Sequence, residues 1–329
     1  MKNKEPLSVK EIKQQPVGQQ FWGKYLIMEA VFRKTRDGRE IANLKIGDSS
    51  GEIDVVVWDN CQVSGKLEEG LVIGLLGDIS SYNNRLQVTA KRIKILDEEK
   101  EPYLKGPEED MSSLIDKFNQ ILASVTDPYL QKLLITIFKP EIFKSFCYAP
   151  AARKIHHNYR GGLLEHTVSV ANLCLKTAKS YPYLNQDLII AGALLHDIGK
   201  IRELEIKAVP QYSVEGRLIG HIVKGAEMAG LAIAQIRSQG QEFPEKLEWM
   251  VRHMILSHHG SLEFGSPVLP LFPEAFLLFM MDNLDAKMFI YREKIEQDDP
   301  DEMFTNYDNF LGQVFFKYRY PGPEGPSSL

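Results

Sequence analysis

Cysteine is scarce, with Cys61, Cys147 and Cys174 the only three in 329 residues. Their odd number, wide spacing and apolar surroundings exclude a disulfide framework and a paired-cysteine zinc site, and suit a reducing compartment. Long apolar runs are missing too. Stretches such as Ala275–Met281 fall far short of a bilayer span, and the opening MKNKEPLSVKEIKQQ has no apolar core of a signal peptide. The expectation is a cytoplasmic protein without a membrane segment. Nor is there a strong charge of one sign. A net charge of -5 excludes a global basic field, so any polyanion must be held by a local patch. Histidine is present but confined, all eight residues lying between His156 and His259.

The chain is 44% hydrophobic and 25% charged, enough apolar material for two domains with cores of their own. Residues 1–18 read as an N-terminal extension. Residues 19–96 carry β-branched and aromatic alternation broken by DG, DSSG and NN turns, about five strands, which suggests a small barrel. The acidic, Pro- and Gly-containing stretch 97–111 has no periodicity and reads as a linker. From residue 112 to 318 the apolar residues recur at i, i+3 and i+4, which predicts an all-α bundle. Residues 319–329, YPGPEGPSSL in their greater part, read as a disordered tail.

The histidines fall in informative places: His166 in LLEHTVSV, His196-Asp197 in ALLHDIGK, His221, and His258-His259 in LSHHG, followed by Asp282 in MMDNLDAK. Mixed nitrogen and oxygen ligands suit Mn²⁺, Fe, Co²⁺ or Zn²⁺, whereas an all-oxygen site would point to Mg²⁺ or Ca²⁺. The set exceeds what one ion needs. Two divalent ions a few Å apart would use the surplus and would generate a nucleophile for phosphoester hydrolysis. An isolated histidine on an amphipathic helix is more often a core or surface group, and His253 and His156 are set aside on that ground. Asp285 shares a helix face with Asp282 and is a second candidate ligand. Glu165 points away from its neighbour His166. Lys200, one turn past His196, can reach a phosphate at the ions or can simply offset a helix dipole. His157 and Arg160, in the loop HHNYRGG, are candidate substrate contacts.

In order and context, His166, His196-Asp197 and Asp282 resemble the H…HD…D pattern of the HD-domain metal-dependent phosphohydrolases. The added His221 and HHG are similar to its two-metal branch, and the family's position for the last aspartate favours Asp282 over Asp285. The strand GEIDVVVWD resembles an OB-fold of the nucleic-acid-binding anticodon type. Such folds stack bases on aromatics and track phosphates with basic side chains, so Phe21, Trp22, Tyr25, Phe32, Trp58, Tyr82, Lys45 and Arg85 are candidates, with most of the aromatics expected in the core. A barrel followed by an HD domain over nearly the whole chain resembles the YhaM family of 3′-to-5′ exoribonucleases. The resemblance implies Mn²⁺-dependent hydrolysis of single-stranded RNA or DNA to nucleoside monophosphates and assembly into a homo-oligomer; Asp197, with Lys200 by its place one turn past His196, is the candidate catalytic pair. Two alternatives are a phosphohydrolase of nucleotides or cyclic dinucleotides, against which no GYP follows HHG, and a non-catalytic nucleic-acid-binding protein.

Overall fold

A computed structural model describes residues 5–34, 38–82, 85–107, 109–152, 159–205, 210–297, 302–309 and 311–318, without the side chains of Arg85, Glu101 and Gln297. The barrel strands are β1 (Gln20–Lys34), β2 (Glu40–Asp48), β3 (Gly51–Trp58), β5 (Val72–Tyr82) and β6 (Arg85–Leu96), with a short β4 (Gln62–Ser64) laid on the outside of β6. Their order is β3-β2-β1-β5-β6, and a parallel pairing of Val55 with Val88 and Val56 with Thr89 closes the barrel. A register shift at Leu76/Gly77 bends β5 against β6. Only glycine fits there, because a Cβ on Gly77 would stand 2.8 Å from the Thr89 carbonyl oxygen. This is the small barrel expected from the alternation, and the OB-fold that the resemblance implied.

The N-terminal segment is part of this barrel rather than an extension of it. Ser8 and Glu11 form a reciprocal cap on α1 (Val9–Lys13), whose Val9 and Ile12 are fully buried among the barrel's side chains. Asp48 accepts a hydrogen bond from the Val9 amide at 2.8 Å. Burial of two large apolar side chains is worth roughly 1.5–3 kcal/mol each, which explains why the segment docks.

The aromatic distribution corrects the expectation of a mostly internal set. Phe21 and Tyr25 point inward, whereas Trp22, Phe32, Trp58 and Tyr82 are exposed. Tyr25 in particular is fully buried and donates to the Leu7 carbonyl oxygen, so it is not available to a base. Burial pushes its pKa well up, in keeping with a permanently protonated donor.

Ten helices make up the second domain, among the described residues: α2 (Met111–Ala123), α3 (Pro128–Ile137), α4 (Pro140–Tyr148), α5 (Gly162–Ala178), α6 (Gln186–Leu195), α7 (Lys200–Glu203), α8 (Val214–Ile219), α9 (His221–Ser238), α10 (Glu245–Ser257) and α11 (Pro273–Gln297). Asn185 caps α6 through the Leu188 amide, and every residue from Leu188 to Leu195 is buried. A helix apolar on all sides belongs at the centre of a bundle, and α5, α10 and α11 pack around it. Two short β features interrupt the helices: a ribbon of β7 (Leu204–Glu205) with β8 (Gln211–Tyr212), and antiparallel bridges Phe304–Phe316 and Asp308–Gln313 after α11. Two-residue strands leave no alternation to read. Among the described residues, no helix is long and apolar enough to cross a membrane.

Candidate metal centre

The central helix α6 ends at His196, and the chain leaves it through Asp197, both of them buried. His166 comes from the second turn of α5, His221 opens α9, His258 and His259 follow α10, and Asp282 lies in α11. The structure brings all seven residues singled out from the sequence to one locus. Asp197 stands between two groups. Its Oδ2 faces His166 Nε2 at 3.6 Å and His196 Nε2 at 3.3 Å, while its Oδ1 faces His221 Nε2 and His258 Nε2, both at 3.5 Å. Asp282 Oδ1 joins the first group, 3.0 Å from His166 Nε2 and 3.8 Å from His196 Nε2. Two clusters of potential ligands result, His166–His196–Asp197 and His221–His258–His259, each with donor atoms within 4.8 Å of one another.

The far side of each ring explains why these Nε2 atoms converge. His196 Nδ1 donates to the Ala193 carbonyl at 2.8 Å, His258 Nδ1 to the Ile255 carbonyl at 2.7 Å and His259 Nδ1 to the Phe264 carbonyl at 2.7 Å. A proton fixed on Nδ1 leaves a lone pair on Nε2, the form a metal ligand requires. His221 is turned by Glu203, whose Oε1 accepts from both its backbone amide and its Nδ1 at 3.0 Å. Asp285 does the same for His166, 2.7 Å from its Nδ1, and is itself held by the Ser169 hydroxyl. That separates the two aspartates of α11. Asp282 faces the locus and Asp285 orients a ring from behind.

Among the described residues, Asp197 Oδ1, His221 Nε2 and His258 Nε2 are buried without a hydrogen-bond partner. An orphaned buried polar atom costs about 1–3 kcal/mol, and three at one point fit a cation better than any internal contact. Electrostatics agree. Burial would raise the Asp197 carboxyl, but Lys200, 2.6 Å from its Oδ2, and His196 hold it well below the usual carboxylate range. Burial would likewise lower His166, but Asp282 and Asp285 outweigh it and lift the ring to about 10. Both carboxylates favour positive charge at His166, whose Nε2 is 3.0 Å from Asp282 Oδ1. On the other side burial, with His258 next in effect, brings His259 down to about 4, so that ring stays neutral.

Lys200 is buried and opens α7 rather than ending a helix, so its partner is the Asp197 carboxylate and not a helix dipole. Arg160 lies over the Tyr148 ring at 4.4 Å, and Glu165 accepts from the Tyr159 hydroxyl. His253 accepts the Leu271 amide at 3.1 Å, which accounts for it without a ligand role. His157 and His156 lie outside the described residues. Sequence reasoning missed Glu203 and Ser169. Glu203 lies one turn beyond HDIGK, a position whose only signal is its nearness to the ligand pair. Loss of such orienting partners weakens metal binding by about 10- to 100-fold. Asp285→Asn is expected to fall in that range while unfolding near the parent's urea midpoint, as measured by metal titration, and equal affinity would remove Asp285 from this role.

The HD-domain family matches residues 163–287, and the family of OB-fold nucleic-acid-binding domains of the anticodon type matches residues 28–96. Three relatives are each named 3′-5′ exoribonuclease YhaM. The protein of Oceanobacillus iheyensis is 32% identical over 94% of this chain and 97% of its own length. That of Bacillus subtilis is 31% identical over 92% and 96%, and that of a Geobacillus species 31% over 89% and 90%. Likeness at that level, extending through barrel, linker and helical domain alike, makes this chain a member of the YhaM family of 3′-5′ exoribonucleases.

Proposed function

We propose that the chain hydrolyses single-stranded RNA from its 3′ end, releasing nucleoside monophosphates, with two divalent ions held in the helical domain. The observation that supports this reading is Asp197, whose two oxygens face separate histidine groups. His166, His196 and Asp282 would hold one ion and His221, His258 and His259 the other, with Asp197 shared. Such a pair of ions supplies polarisation of the phosphodiester and a lowered pKa for the attacking water. The nitrogen-rich donor set favours Mn²⁺ over Mg²⁺.

The protein's own groups do the rest. Lys200 keeps Asp197 ionised and adds a fixed positive charge where phosphate charge develops. Glu203, Asp285 and three backbone carbonyls keep the rings aimed before substrate arrives. On the barrel, the register sets Arg33 beside Ile41 and Ile41 beside Trp58, so an exposed indole and a guanidinium share one row. Trp58 and Trp22 would stack on bases, with Lys45, 3.9 Å from Glu52, near the backbone; Arg85, whose side chain is outside the described set, would add a further charge. The three unpaired thiols accord with a reducing, cytoplasmic setting.

The test is a time course on a 5′-labelled single-stranded RNA resolved on a denaturing gel. Chelated protein is expected to be inactive, and added Mn²⁺ to restore a descending ladder of labelled products. A labelled mononucleotide as the first product, or no cleavage with any divalent metal, would overturn the reading.

A further inference from the structure

The stretch between the domains, read from sequence as a linker, makes contacts toward both of them. Toward the barrel, a 3-10 turn at Glu101–Tyr103 lies against β2. The Tyr103 hydroxyl donates to Glu98 Oε2 at 2.6 Å, and Lys24 of β1 holds the other oxygen of Glu98 at 2.6 Å. Toward the helical domain, Lys105 Nζ is 2.5 Å from Glu293 Oε1 of α11 and lies over the rings of Tyr159 and Phe289 at 5.5 and 5.8 Å. Two residues on, Pro107 meets Gly161, whose left-handed backbone (φ 87°) opens α5 and where a Cβ would come within 2.9 Å of the proline ring.

The two helices approached in this way carry two of the seven candidate ligands, His166 on α5 and Asp282 on α11. Tyr159 reaches Glu165, the neighbour of His166, and Phe289 and Glu293 lie one and two turns beyond Asp285 on α11. From these contacts we infer that Lys105 is a positioning residue: it fixes the linker, and through it the barrel, against α11 and the start of α5, so that a strand captured by one domain presents its 3′ end to the other. The inference rests on the exonuclease reading above. An exposed ion pair alone is worth little, but here it converges with two ring contacts on one ammonium. Its effect should be on delivery. A strand held by a docked barrel reaches the site at a high effective concentration, which a swinging barrel dilutes.

The experiment compares full-length parent, Lys105→Ala and Lys105→Arg on a diribonucleotide, too short to span both domains, and on a single strand of about 20 nucleotides, with metal content measured for each. Lys105→Ala should raise KM on the long strand by roughly three- to tenfold at unchanged kcat. Its diribonucleotide turnover and metal content should match the parent's, and Lys105→Arg should recover most of the KM. Glu293→Gln, which removes the partner's charge, should shift KM in the same direction. Parent kinetics for Lys105→Ala on both substrates would overturn the inference, as would equal losses on both. A parent that cleaves neither substrate would instead overturn the exonuclease reading on which it rests.

Discussion

Asp197→Asn is expected to lose turnover by on the order of 10⁴-fold and to lose metal from both positions, not one. The carboxylate has its two oxygens directed at different histidine groups, 3.3–3.6 Å from four imidazole nitrogens. An amide keeps the shape, but it carries no charge and turns a donor toward one of the two groups. It also leaves the buried ammonium of Lys200 without its counter-charge at 2.6 Å, a change that is strongly destabilising wherever the partner stays buried. Elemental analysis of purified protein, run beside the RNA ladder, separates the possibilities. Two bound metals and parent turnover in a folded Asp197→Asn would mean that Asp197 is not shared between ions.

Gly199→Ala should have the largest effect on stability, a loss of about 3 kcal/mol. A Cβ there would lie 2.0 Å from the His221 carbonyl oxygen, 2.8 Å from its carbon and 2.7 Å from the Gly225 amide nitrogen. These are backbone atoms, and no rotamer change relieves them. The turn after Asp197 and the start of α9 would have to part, carrying His221 away from Asp197. The urea midpoint should fall well below the parent's, and whatever folds should bind less metal. An unchanged midpoint would show that the turn and α9 can separate without cost.

How much of this could be read from residues alone depended on what each position has to do. The candidate ligands that the structure brings together were legible because few side chains can do that work, and His196-Asp197 at the end of an apolar run leaves little choice. Helix-face geometry alone did not separate Asp282 from Asp285, and only the family's pattern favoured Asp282, since three residues apart they differ in whether they meet the Nε2 or the Nδ1 side of His166. Glu203 was missed because its partner His221 is remote in sequence and glutamates are common. The barrel was legible from its alternation, but α1 was not: one turn of helix has too few residues to show a period, and its place is set by the barrel it plugs. Residues 97–111 read as a linker for a similar reason. Their contacts are with distant groups, and those leave no trace in local composition.

Most active sites sit on loops that can loosen while the scaffold stands. Here the ligand pair His196-Asp197 terminates α6, the helix buried from Leu188 to Leu195 at the middle of the bundle. Freeing those two side chains disturbs the end of a helix packed in the core rather than an exposed loop. On the two-ion reading, release of the ions is expected to slow toward the unfolding rate of the helical domain.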